Sequence, residues 1–324
     1  MPDTISTKLH TNLSTSLQKL LSDCTLCPRN CHVDRLAGEY GFCGQTAELT
    51  AARAALHMWE EPCISGFRGS GTVFFSGCNL KCVFCQNHNI AIGTSGRVLS
   101  ASHLAEIFLK LQEQGANNIN LVTPSHFVPQ ICIALKLAKE QGLHLPVVYN
   151  TGSYENVDTL KLLEGLVDIY LPDLKYHSSE LSKRYSHAAD YFDKATMAIA
   201  EMFRQTGPAC FFEAGAQAQP EAGIMKQGVI VRHLLLPGQT KDSKKILRYL
   251  HNTYGDHIYV SIMSQYTPLP HVADIPELNR TVTKEEYQRV IDFALQIGIE
   301  NGFFQEGEVA SESFIPEFNG AGLQ

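Results

Sequence analysis

Six β-rich stretches, each followed by an amphipathic stretch of helical period, constrain the fold of this chain more than any other feature. The β-rich stretches cover residues 72–76, 119–123, 146–149, 167–171, 228–235 and 257–263. The helical stretches cover residues 101–114, 128–141, 155–163, a region that extends to 206, 243–253 and 284–297. Such alternation is typical of a parallel sheet with helices outside it. We therefore predict an α/β fold, a partial (β/α)6 TIM-like barrel, with a doubly wound open sheet as the alternative.

Composition and charge narrow the classes of function. The chain has 324 residues and a net charge of −7 without a cluster of lysines or arginines, so nucleic acid is not expected as a partner. No apolar run reaches the roughly 18 residues of a transmembrane helix, and the polar, Ser/Thr-rich N-terminus lacks the apolar stretch of a secretory signal. We therefore expect a cytoplasmic protein without a membrane partner.

The ten cysteines are unevenly distributed along the chain. In an intracellular protein, closely spaced cysteines indicate metal or redox chemistry rather than disulfides. Two tight groups stand out: Cys24, Cys27, Cys31 and Cys43, and then Cys78, Cys82 and Cys85. We divide the chain accordingly into an N-terminal lead-in (1–23), a cysteine-rich metal-binding module (24–66) and a barrel (67–324).

The second cysteine group directly follows the first predicted strand, where functional residues of parallel sheets are expected. Its spacing is C-x3-C-x2-C, and three thiolates on one short loop can each bind one iron of a [4Fe–4S] cluster. The fourth iron would then remain open for a substrate or cofactor. Phe84, just before Cys85, offers an apolar face to a nucleobase. The alternatives are three unrelated cysteines, or a zinc site completed by a distant histidine.

The segment GCNLKCVFCQN, residues 77–87, resembles the signature of the radical S-adenosylmethionine (SAM) superfamily. The segments HMWEEPCISGFRGSGTVFFSGC, NLVTPSHFVP, VVYNTGSYE, VDIYLPDLKY, VRHLLLPG and SIMSQYTP are similar to the pyruvate formate-lyase-activating-enzyme-like subgroup, within its uncharacterised branch with an N-terminal cysteine group. The resemblance extends from about Cys24 to Gln305.

This resemblance implies a function. SAM would bind the open iron, and one electron would cleave it to methionine and a 5′-deoxyadenosyl radical that abstracts hydrogen from the substrate. The analogy favours a protein or peptide substrate, with glycyl radical activation as one form. It also implies a low-potential electron donor of the flavodoxin or ferredoxin type. Modification of a small molecule, a non-catalytic iron–sulfur electron carrier and a barrel metallohydrolase are the alternatives.

Two cations near predicted strand ends are candidates for the SAM carboxylate. Lys175 follows the fourth strand in the segment Asp173-Leu174-Lys175, which matches a DLK segment of activating enzymes, and Arg232 lies on the fifth strand. Arginine binds carboxylates in the stronger, bidentate mode. The alternative for each is a side chain that reaches solvent from a strand end.

Further polar residues at strand ends are candidates for the rest of SAM and for the substrate. Many activating enzymes carry Gly-Gly-Glu after the second strand for the SAM amino group, whereas this chain has the segment Thr123-Pro124-Ser125-His126, so that Thr123 or Ser125 would replace it. Asn150, Thr151 and Ser153 could bond the ribose, although such residues also form ordinary turns. Those that could face the substrate are His126, Tyr149, Gln265, Tyr266 and Gln305.

The first cysteine group offers four thiolates. Cys24, Cys27, Cys31 and Cys43 suffice for a tetrahedral zinc site or for a closed iron–sulfur cluster. Zinc would fold a module too small to bury a core, whereas a second cluster could pass electrons. The sequence does not decide between the two metals, and disulfides or free thiols are the remaining alternatives.

Overall fold

The computed structural model describes residues 15–213, 223–305 and 316–324 of the chain. The strands among these residues are β1 Thr50–His57, β2 Ser70–Phe75, β3 Arg97–Val98, β4 Ile119–Val122, β5 Val147–Thr151, β6 Ile169–Pro172, β7 Cys210–Phe211, β8 Met225–Leu234, β9 Tyr259–Met263 and β10 Gly302–Phe304. Strands β2, β4, β5, β6, β8, β9 and β10 are parallel neighbours in that order, and β1 and β3 extend the sheet antiparallel beyond β2. The short β7 pairs with β8 antiparallel.

The α-helices are α1 Thr15–Ser22, α2 Pro62–Ser65, α3 His88–Ala91, α4 Ala101–Glu113, α5 Val128–Glu140, α6 Val157–Lys161, α7 Ser179–Ser186, α8 Tyr191–Thr206, α9 Thr240–Tyr254 and α10 Lys284–Gln296. Each of the six parallel strands β2, β4, β5, β6, β8 and β9 leads into a helix before the next parallel strand begins. The predicted α/β class and the partial barrel are thus confirmed, because β10 and β3 remain unpaired edges of the described sheet.

All six predicted strands occur, with ends displaced by up to three residues. Strand β1 was not predicted, although it pairs with β2 along most of its length. Its sequence, TAARAALH, is rich in alanine and has neither the β-branched side chains nor the alternation by which strands are recognised. Residues 1–14 of the predicted lead-in lie outside the described residues. No described helix is long and apolar enough to span a bilayer.

The two faces of the sheet bury different sets of side chains. The outer face packs against the helices through residues such as Val73, Leu121 and Val231, which are inaccessible to solvent. The inner face bears a smaller apolar cluster near the amino-terminal ends of the strands, which includes Ile169 and Ile230. Polar side chains lie on the inner face closer to the carboxyl-terminal ends. The inner face therefore changes from apolar near the amino-terminal ends of the strands to polar near their carboxyl-terminal ends.

Candidate functional site

The cysteine loop leaves β2 through a glycine that no other residue could replace without rearrangement. Gly77 has a φ of 86°, and a Cβ there would lie 2.6 Å from Gln45 Cγ and 2.7 Å from the Cys43 carbonyl oxygen. Lys81 also adopts a left-handed conformation, with a φ of 47°, and reverses the chain between Cys78 and Cys82. These two turns bring the three cysteines of the loop to the carboxyl-terminal end of the sheet.

The loop sulfurs lie in surroundings that suit thiolate ligands. The Leu80 amide donates to Cys78 Sγ at 3.4 Å, and the Ser186 hydroxyl donates to Cys82 Sγ at 2.9 Å. Burial raises the pKa of Cys85 to about 12 and the pKa of the other two thiols above their ordinary value, whereas the positive charge of Lys175 lowers all three. Without a metal these groups are therefore thiols, and donors aimed at sulfur favour the metal-bound thiolate.

The arrangement fits a cluster better than a single ion. Within residues 15–213, 223–305 and 316–324, no three side chains of histidine, cysteine, aspartate or glutamate converge on one ion position. The ligands of a [4Fe–4S] cluster bind different irons, so their sulfurs need not converge. Three sulfurs on one loop, with hydrogen bonds to two of them, have the chemistry of such a donor set.

Beside the loop, Asp173 joins the two cations that the sequence singles out. Lys175 Nζ lies 2.5 Å from Asp173 Oδ2, and Arg232 Nε lies 2.9 Å from Asp173 Oδ1. Burial acts to raise the pKa of Asp173, but the charges of Arg232 and Lys175 outweigh it and hold that pKa below its ordinary value. The same pairing raises the pKa of Lys175 and of Arg232 despite burial. All three groups are therefore charged at neutral pH.

Arg232 has further partners that the sequence analysis missed. Its Nη1 lies 3.0 Å from Glu60 Oε2, and its Nη2 donates to Asn150 Oδ1 at 2.6 Å. Glu60 precedes α2 in the connection between β1 and β2, far from any predicted strand end, so no pattern pointed to it. Three nitrogens of the guanidinium are thus bonded to protein, whereas the only recorded partner of the Lys175 ammonium among the described residues is Asp173.

The contact between Lys175 and the cysteine loop depends on a glycine. A Cβ on Gly152, just after β5, would lie 2.7 Å from Leu80 Cδ1 and 3.5 Å from Lys175 Cε. Leu80 lies between Cys78 and Cys82, so Gly152 leaves the room in which the loop, β5 and Lys175 meet. Lys175, Asp173, Arg232 and Asn150 are thus brought together at the carboxyl-terminal ends of the strands.

The hydroxyl residues predicted for SAM are divided between two environments. The hydroxyls of Ser125 and Thr151 both donate to Glu155 Oε1, a buried carboxylate that was not predicted. The Ser153 hydroxyl is buried without a partner among the described residues, and Ser153 has a φ of 65°. Thr123 has a φ of 58°, which is rare for a β-branched residue and typical of functional turns. Among these candidates, Thr123 and Ser153 are the residues whose side-chain hydroxyls form no hydrogen bond with a described residue.

Two aromatic residues that the sequence predicts near the strand ends, Phe84 and Tyr266, have partners within the protein. Phe84 packs edge-on against Tyr176, Tyr185 and Tyr266, and the Tyr266 hydroxyl donates to the Leu278 carbonyl at 2.6 Å. This packing buries the ring of Phe84 beneath the cysteine loop.

Four further predicted residues form hydrogen bonds within the protein. His126 Nε2 lies 2.6 Å from the Ser76 carbonyl, and burial lowers the pKa of His126 to about 3. Gln305 Nε2 donates to Gln265 Oε1 at 3.1 Å, and the Tyr149 hydroxyl donates to Glu155 at 3.4 Å. Their roles toward a substrate stay predictions.

The four cysteines of the N-terminal group lie close to one another. A Cβ on Gly41 would lie 3.6 Å from both Cys31 Sγ and Cys43 Sγ, and the Phe42 amide donates to Cys31 Sγ at 3.3 Å. Burial raises the pKa of Cys27 to about 12, with further contributions from Cys43 and Cys24. Buried thiols with amide donors suit sulfur ligands of a metal. As at the loop, however, no three of these side chains converge on one ion position in the described part of the chain, which fits a cluster better than a single zinc ion.

The two cysteine groups are also neighbours. The Cys78 amide donates to the Cys43 carbonyl at 3.3 Å, so a residue of each group joins them directly. Arg29 bridges them as well, because its Nε donates to the Asn79 carbonyl at 2.8 Å and its Nη2 donates to the Ser186 carbonyl at 2.8 Å. Whatever the two groups bind would therefore lie side by side.

Comparisons with known proteins give one family match and two relatives. A model of the radical SAM superfamily matches residues 72–250, more than half of the chain. An uncharacterized protein of Methanocaldococcus jannaschii is 28% identical over 285 residues, which cover 86% of this chain and 75% of that protein. The pyruvate formate-lyase-activating enzyme of Clostridium pasteurianum is 33% identical over 112 residues, which cover 32% of this chain and 44% of that enzyme.

Two solved structures match the chain at low sequence identity. SuiB of Streptococcus suis, bound to its precursor peptide SuiA, matches with a TM-score of 0.49 and 12% identity, over 72% of this chain and 47% of SuiB. The FeFe-hydrogenase maturase HydG of Carboxydothermus hydrogenoformans matches with a TM-score of 0.49 and 12% identity, over 76% of this chain and 55% of HydG. This chain therefore spans about half the length of each.

Proposed function

Because the chain belongs to the radical SAM superfamily, whose members are enzymes that use a [4Fe–4S] cluster and SAM, we propose that Cys78, Cys82 and Cys85 hold that cluster. The observation that carries the proposal is the cysteine loop at the carboxyl-terminal end of the sheet, with hydrogen bonds to the sulfurs of Cys78 and Cys82. When bound, the cluster and SAM supply the reductive cleavage that yields a 5′-deoxyadenosyl radical for hydrogen abstraction. The protein residues position the cofactor and keep water away.

We propose that Lys175, rather than Arg232, binds the SAM carboxylate. Its charge reaches all three cysteines of the loop, and only one bond to Asp173 occupies its ammonium among the described residues. Arg232 is fixed by Asp173, Glu60 and Asn150, so it holds Asp173 in place and contributes positive charge from below. Thr123 and Ser153 offer unengaged hydroxyls at neighbouring strand ends and are proposed to bind the amino group and the ribose.

For the N-terminal group we propose a metal site of Cys24, Cys27, Cys31 and Cys43, either zinc or a second iron–sulfur cluster. Its contact with the loop through Cys43 and Cys78 supports the cluster. A second cluster in this position would be close enough to pass an electron to the first. Zinc would instead hold the module against the loop. Iron and zinc contents of the purified protein, measured with and without Cys24→Ser, distinguish the two.

The proposed substrate is a protein or a peptide, and glycyl radical activation is the closest analogy. The similarity to the pyruvate formate-lyase-activating enzyme supports this, although it covers a third of the chain. The Thr123-Pro124-Ser125-His126 segment stands where many activating enzymes have Gly-Gly-Glu, so the substrate is not taken to be pyruvate formate-lyase. The proposed electron donor is of the flavodoxin or ferredoxin type.

Anaerobic reconstitution tests the proposed chemistry. The protein is loaded with iron and sulfide, reduced with dithionite and supplied with SAM, and 5′-deoxyadenosine is measured. We expect its formation in the wild type and its loss in Cys82→Ala, whereas Cys132→Ala, at a buried cysteine on α5, should retain it. Full activity of Cys82→Ala would refute the assignment of the cluster.

The assignment of Lys175 is tested by binding rather than by turnover. Equilibrium dialysis of SAM against the reconstituted, unreduced protein should show weaker binding in Lys175→Met than in the wild type. Lys139→Met is the matched control, because the Lys139 ammonium donates to the Gly165 and Leu166 carbonyls between α6 and β6 and has no recorded contact with the cysteine loop among the described residues. Equal SAM affinity in all three proteins would contradict a role of Lys175 toward SAM.

A further inference from the structure

The last turn of α7 lies against the cysteine loop and supplies the donor to one of its sulfurs. The Ser186 hydroxyl donates to Cys82 Sγ at 2.9 Å, and both residues are buried. The Val83 amide donates to the Tyr185 carbonyl at 2.8 Å, which attaches the loop to the residue before Ser186. The placement of α7 therefore determines how the Ser186 hydroxyl meets Cys82.

The carboxyl-terminal end of α7 is a binding place for a cationic donor. His187, its capping residue, has a φ of 54°, so the chain leaves the helix there in a left-handed turn. The last carbonyls of a helix have no donors within the helix and carry a partial negative charge. A lysine or arginine from another part of the chain can satisfy both needs.

Arg29, from the N-terminal cysteine module (residues 24–66), is that donor. Its Nη2 donates to the Ser186 carbonyl at 2.8 Å, and its Nη1 donates to the His187 carbonyl. Its Nε donates to the Asn79 carbonyl at 2.8 Å, inside the cysteine loop. Because the guanidinium is a rigid planar fork, it holds the end of α7 and the cysteine loop in a fixed relation to each other.

Arg29 is itself held by the sulfurs of the N-terminal group and their neighbours. Its backbone amide donates to the sulfur of Cys27. Its guanidinium carbon lies 3.9 Å from the centre of the Phe42 ring, a cation–π contact, and the Phe42 amide donates to Cys31 Sγ at 3.3 Å. The position of Arg29 therefore depends on the arrangement of the N-terminal cysteines.

Other contacts hold Ser186 as well, but they leave a role for Arg29. The Tyr176 hydroxyl lies 2.7 Å from the Ser186 hydroxyl and also interacts with Cys82, so it closes one side of the contact. The bond from Val83 to Tyr185 attaches the helix end to the loop at one point, about which the helix end can turn. The guanidinium of Arg29 adds a second attachment, and two attachments fix the direction of the Ser186 hydroxyl.

The geometry of this hydrogen bond has a consequence for redox chemistry. Hydrogen bonds to the sulfurs of an iron–sulfur cluster raise its reduction potential, because they stabilise the more negative, reduced state. A hydrogen bond weakens steeply as its angle departs from the optimum. A small shift of α7 against the cysteine loop would therefore lower the potential of a cluster bound to Cys82.

We propose that Arg29 is a positioning residue through which the N-terminal cysteine module sets the reduction potential of the cluster held by the cysteine loop. This inference rests on the proposed function, because it concerns the regulation of the cluster proposed there. Arg29 keeps the Ser186 hydroxyl on Cys82 Sγ and so favours the reduced state. A module that releases its metal frees Arg29, weakens this hydrogen bond and makes the loop cluster harder to reduce.

The test measures midpoint potentials of the reconstituted protein by a redox titration followed by electron paramagnetic resonance. The loop cluster is recognised beforehand as the signal that SAM changes, because the open iron belongs to it. Arg29→Lys keeps the charge but replaces the fork by an ammonium that cannot hold three carbonyls in the same geometry. We expect the potential of the loop cluster to fall in this variant, by no more than it falls in Ser186→Ala.

Two further variants make the comparison specific. Arg184→Lys is the matched control, because Arg184 lies on the same helix but pairs with Glu277, and it should leave the potential unchanged. Phe42→Leu removes the ring that packs on the Arg29 guanidinium and should lower the potential in the same direction as Arg29→Lys. If Arg29→Lys does not assemble the cluster, Phe42→Leu takes its place in every comparison.

A double variant separates positioning from a direct effect. If Arg29 acts through Ser186, Arg29→Lys should shift the potential in the wild-type background and have no effect in the Ser186→Ala background. An unchanged potential in Arg29→Lys, an equal shift in both backgrounds, or an equal fall in Arg184→Lys would overturn the proposal.

The proposed function fails separately from this inference. Shifts that disappear in the Ser186→Ala background, together with a wild type that forms no 5′-deoxyadenosine, would refute the radical chemistry and leave the role of Arg29 standing. Formation of 5′-deoxyadenosine by the wild type, together with equal shifts in both backgrounds, would do the reverse.

Discussion

Glu155 gives the sharpest quantitative prediction. Its side chain is buried beneath the strand ends, where Ser125, Thr151 and Tyr149 donate to its Oε1, while its Oε2 has no partner among the described residues. Burial raises the pKa of Glu155 from 4.5 to about 7, although the three donors act in the opposite direction. The native state therefore holds this proton over a range of pH in which the unfolded state has released it.

The sign and size of the effect follow from this pKa. Between about pH 4.5 and pH 7 the native state binds more protons than the unfolded state, so the free energy of unfolding falls as the pH rises. The pKa of Glu155 rises from 4.5 to about 7 on folding. At about 1.4 kcal/mol per pKa unit, the protein should lose about 3 kcal/mol of unfolding free energy when the pH rises through this range. Most of this loss occurs between pH 5 and pH 8. Glu155→Gln, which cannot ionise, should be free of it.

Urea denaturation at pH 5 and pH 8 measures this difference. Relative to the wild type, Glu155→Gln should gain roughly 2–3 kcal/mol of unfolding free energy between pH 5 and pH 8, whatever its packing cost at either pH. Glu164→Gln is the control, since the Glu164 side chain is 54% exposed, and its effect should be the same at both values. An identical effect of Glu155→Gln at both pH values would refute the reasoning, because Glu155 would then be ionised in the native state as in the unfolded one.

Three further predictions concern separate parts of the chain. Ser186→Ala removes the hydrogen-bond donor to Cys82 Sγ. Because that donor favours the more negative, reduced cluster, the midpoint potential of the cluster, followed by electron paramagnetic resonance, should fall by about 40 mV. An unchanged potential would contradict a hydrogen bond from Ser186 to the cluster ligand. Thr283→Ala breaks the capping box of α10 and should lower the unfolding free energy by about 1 kcal/mol in urea; no change would mean that Glu286 caps the helix alone. Arg35 is a buried arginine that donates to the Thr46 and His126 carbonyls. In Arg35→Gln we expect a protease to cleave the N-terminal cysteine module before it cleaves the barrel. Simultaneous cleavage of both would argue against a role of Arg35 in holding the module in place.

The sequence predicted the repeating part of the fold because its signal is local. The strands β2, β4, β5, β6, β8 and β9 are short apolar runs between helical stretches, and every one was recognised. Strand β1 was missed since its alanine-rich sequence resembles a helix former more than a strand. It is a strand because β2 and β3 flank it on both sides. Pairing of this kind is a property of the whole sheet and leaves no mark on the segment itself.

The site was predictable to a similar extent. The cysteine loop, Asp173, Lys175 and Arg232 are the candidates that motifs and strand ends mark in the sequence, and the structure places them near one another at the carboxyl-terminal ends of the strands. Glu60 and Glu155 were missed, since a glutamate in a loop is most often exposed. Only the tertiary structure reveals that one meets Arg232 and the other meets Ser125 and Thr151. Partners of buried charges cannot be read from spacing when they come from different elements.

Arg232 couples Glu60 to Asp173 and Lys175, and this constrains how the candidate site can vary. Its guanidinium bonds Asp173, which also pairs with Lys175, and Glu60 in the connection between β1 and β2, with Asn150 as the third acceptor. A planar fork can satisfy three acceptors at once, which a lysine ammonium on a flexible stem cannot do in the same geometry. A displacement of Glu60 would therefore move the guanidinium, and Asp173 would carry that movement to Lys175. Three salt bridges, Glu60–Arg232, Arg232–Asp173 and Asp173–Lys175, thus link Glu60 to the ammonium that is proposed to hold SAM, so a displacement of Glu60 should alter the affinity of the protein for SAM.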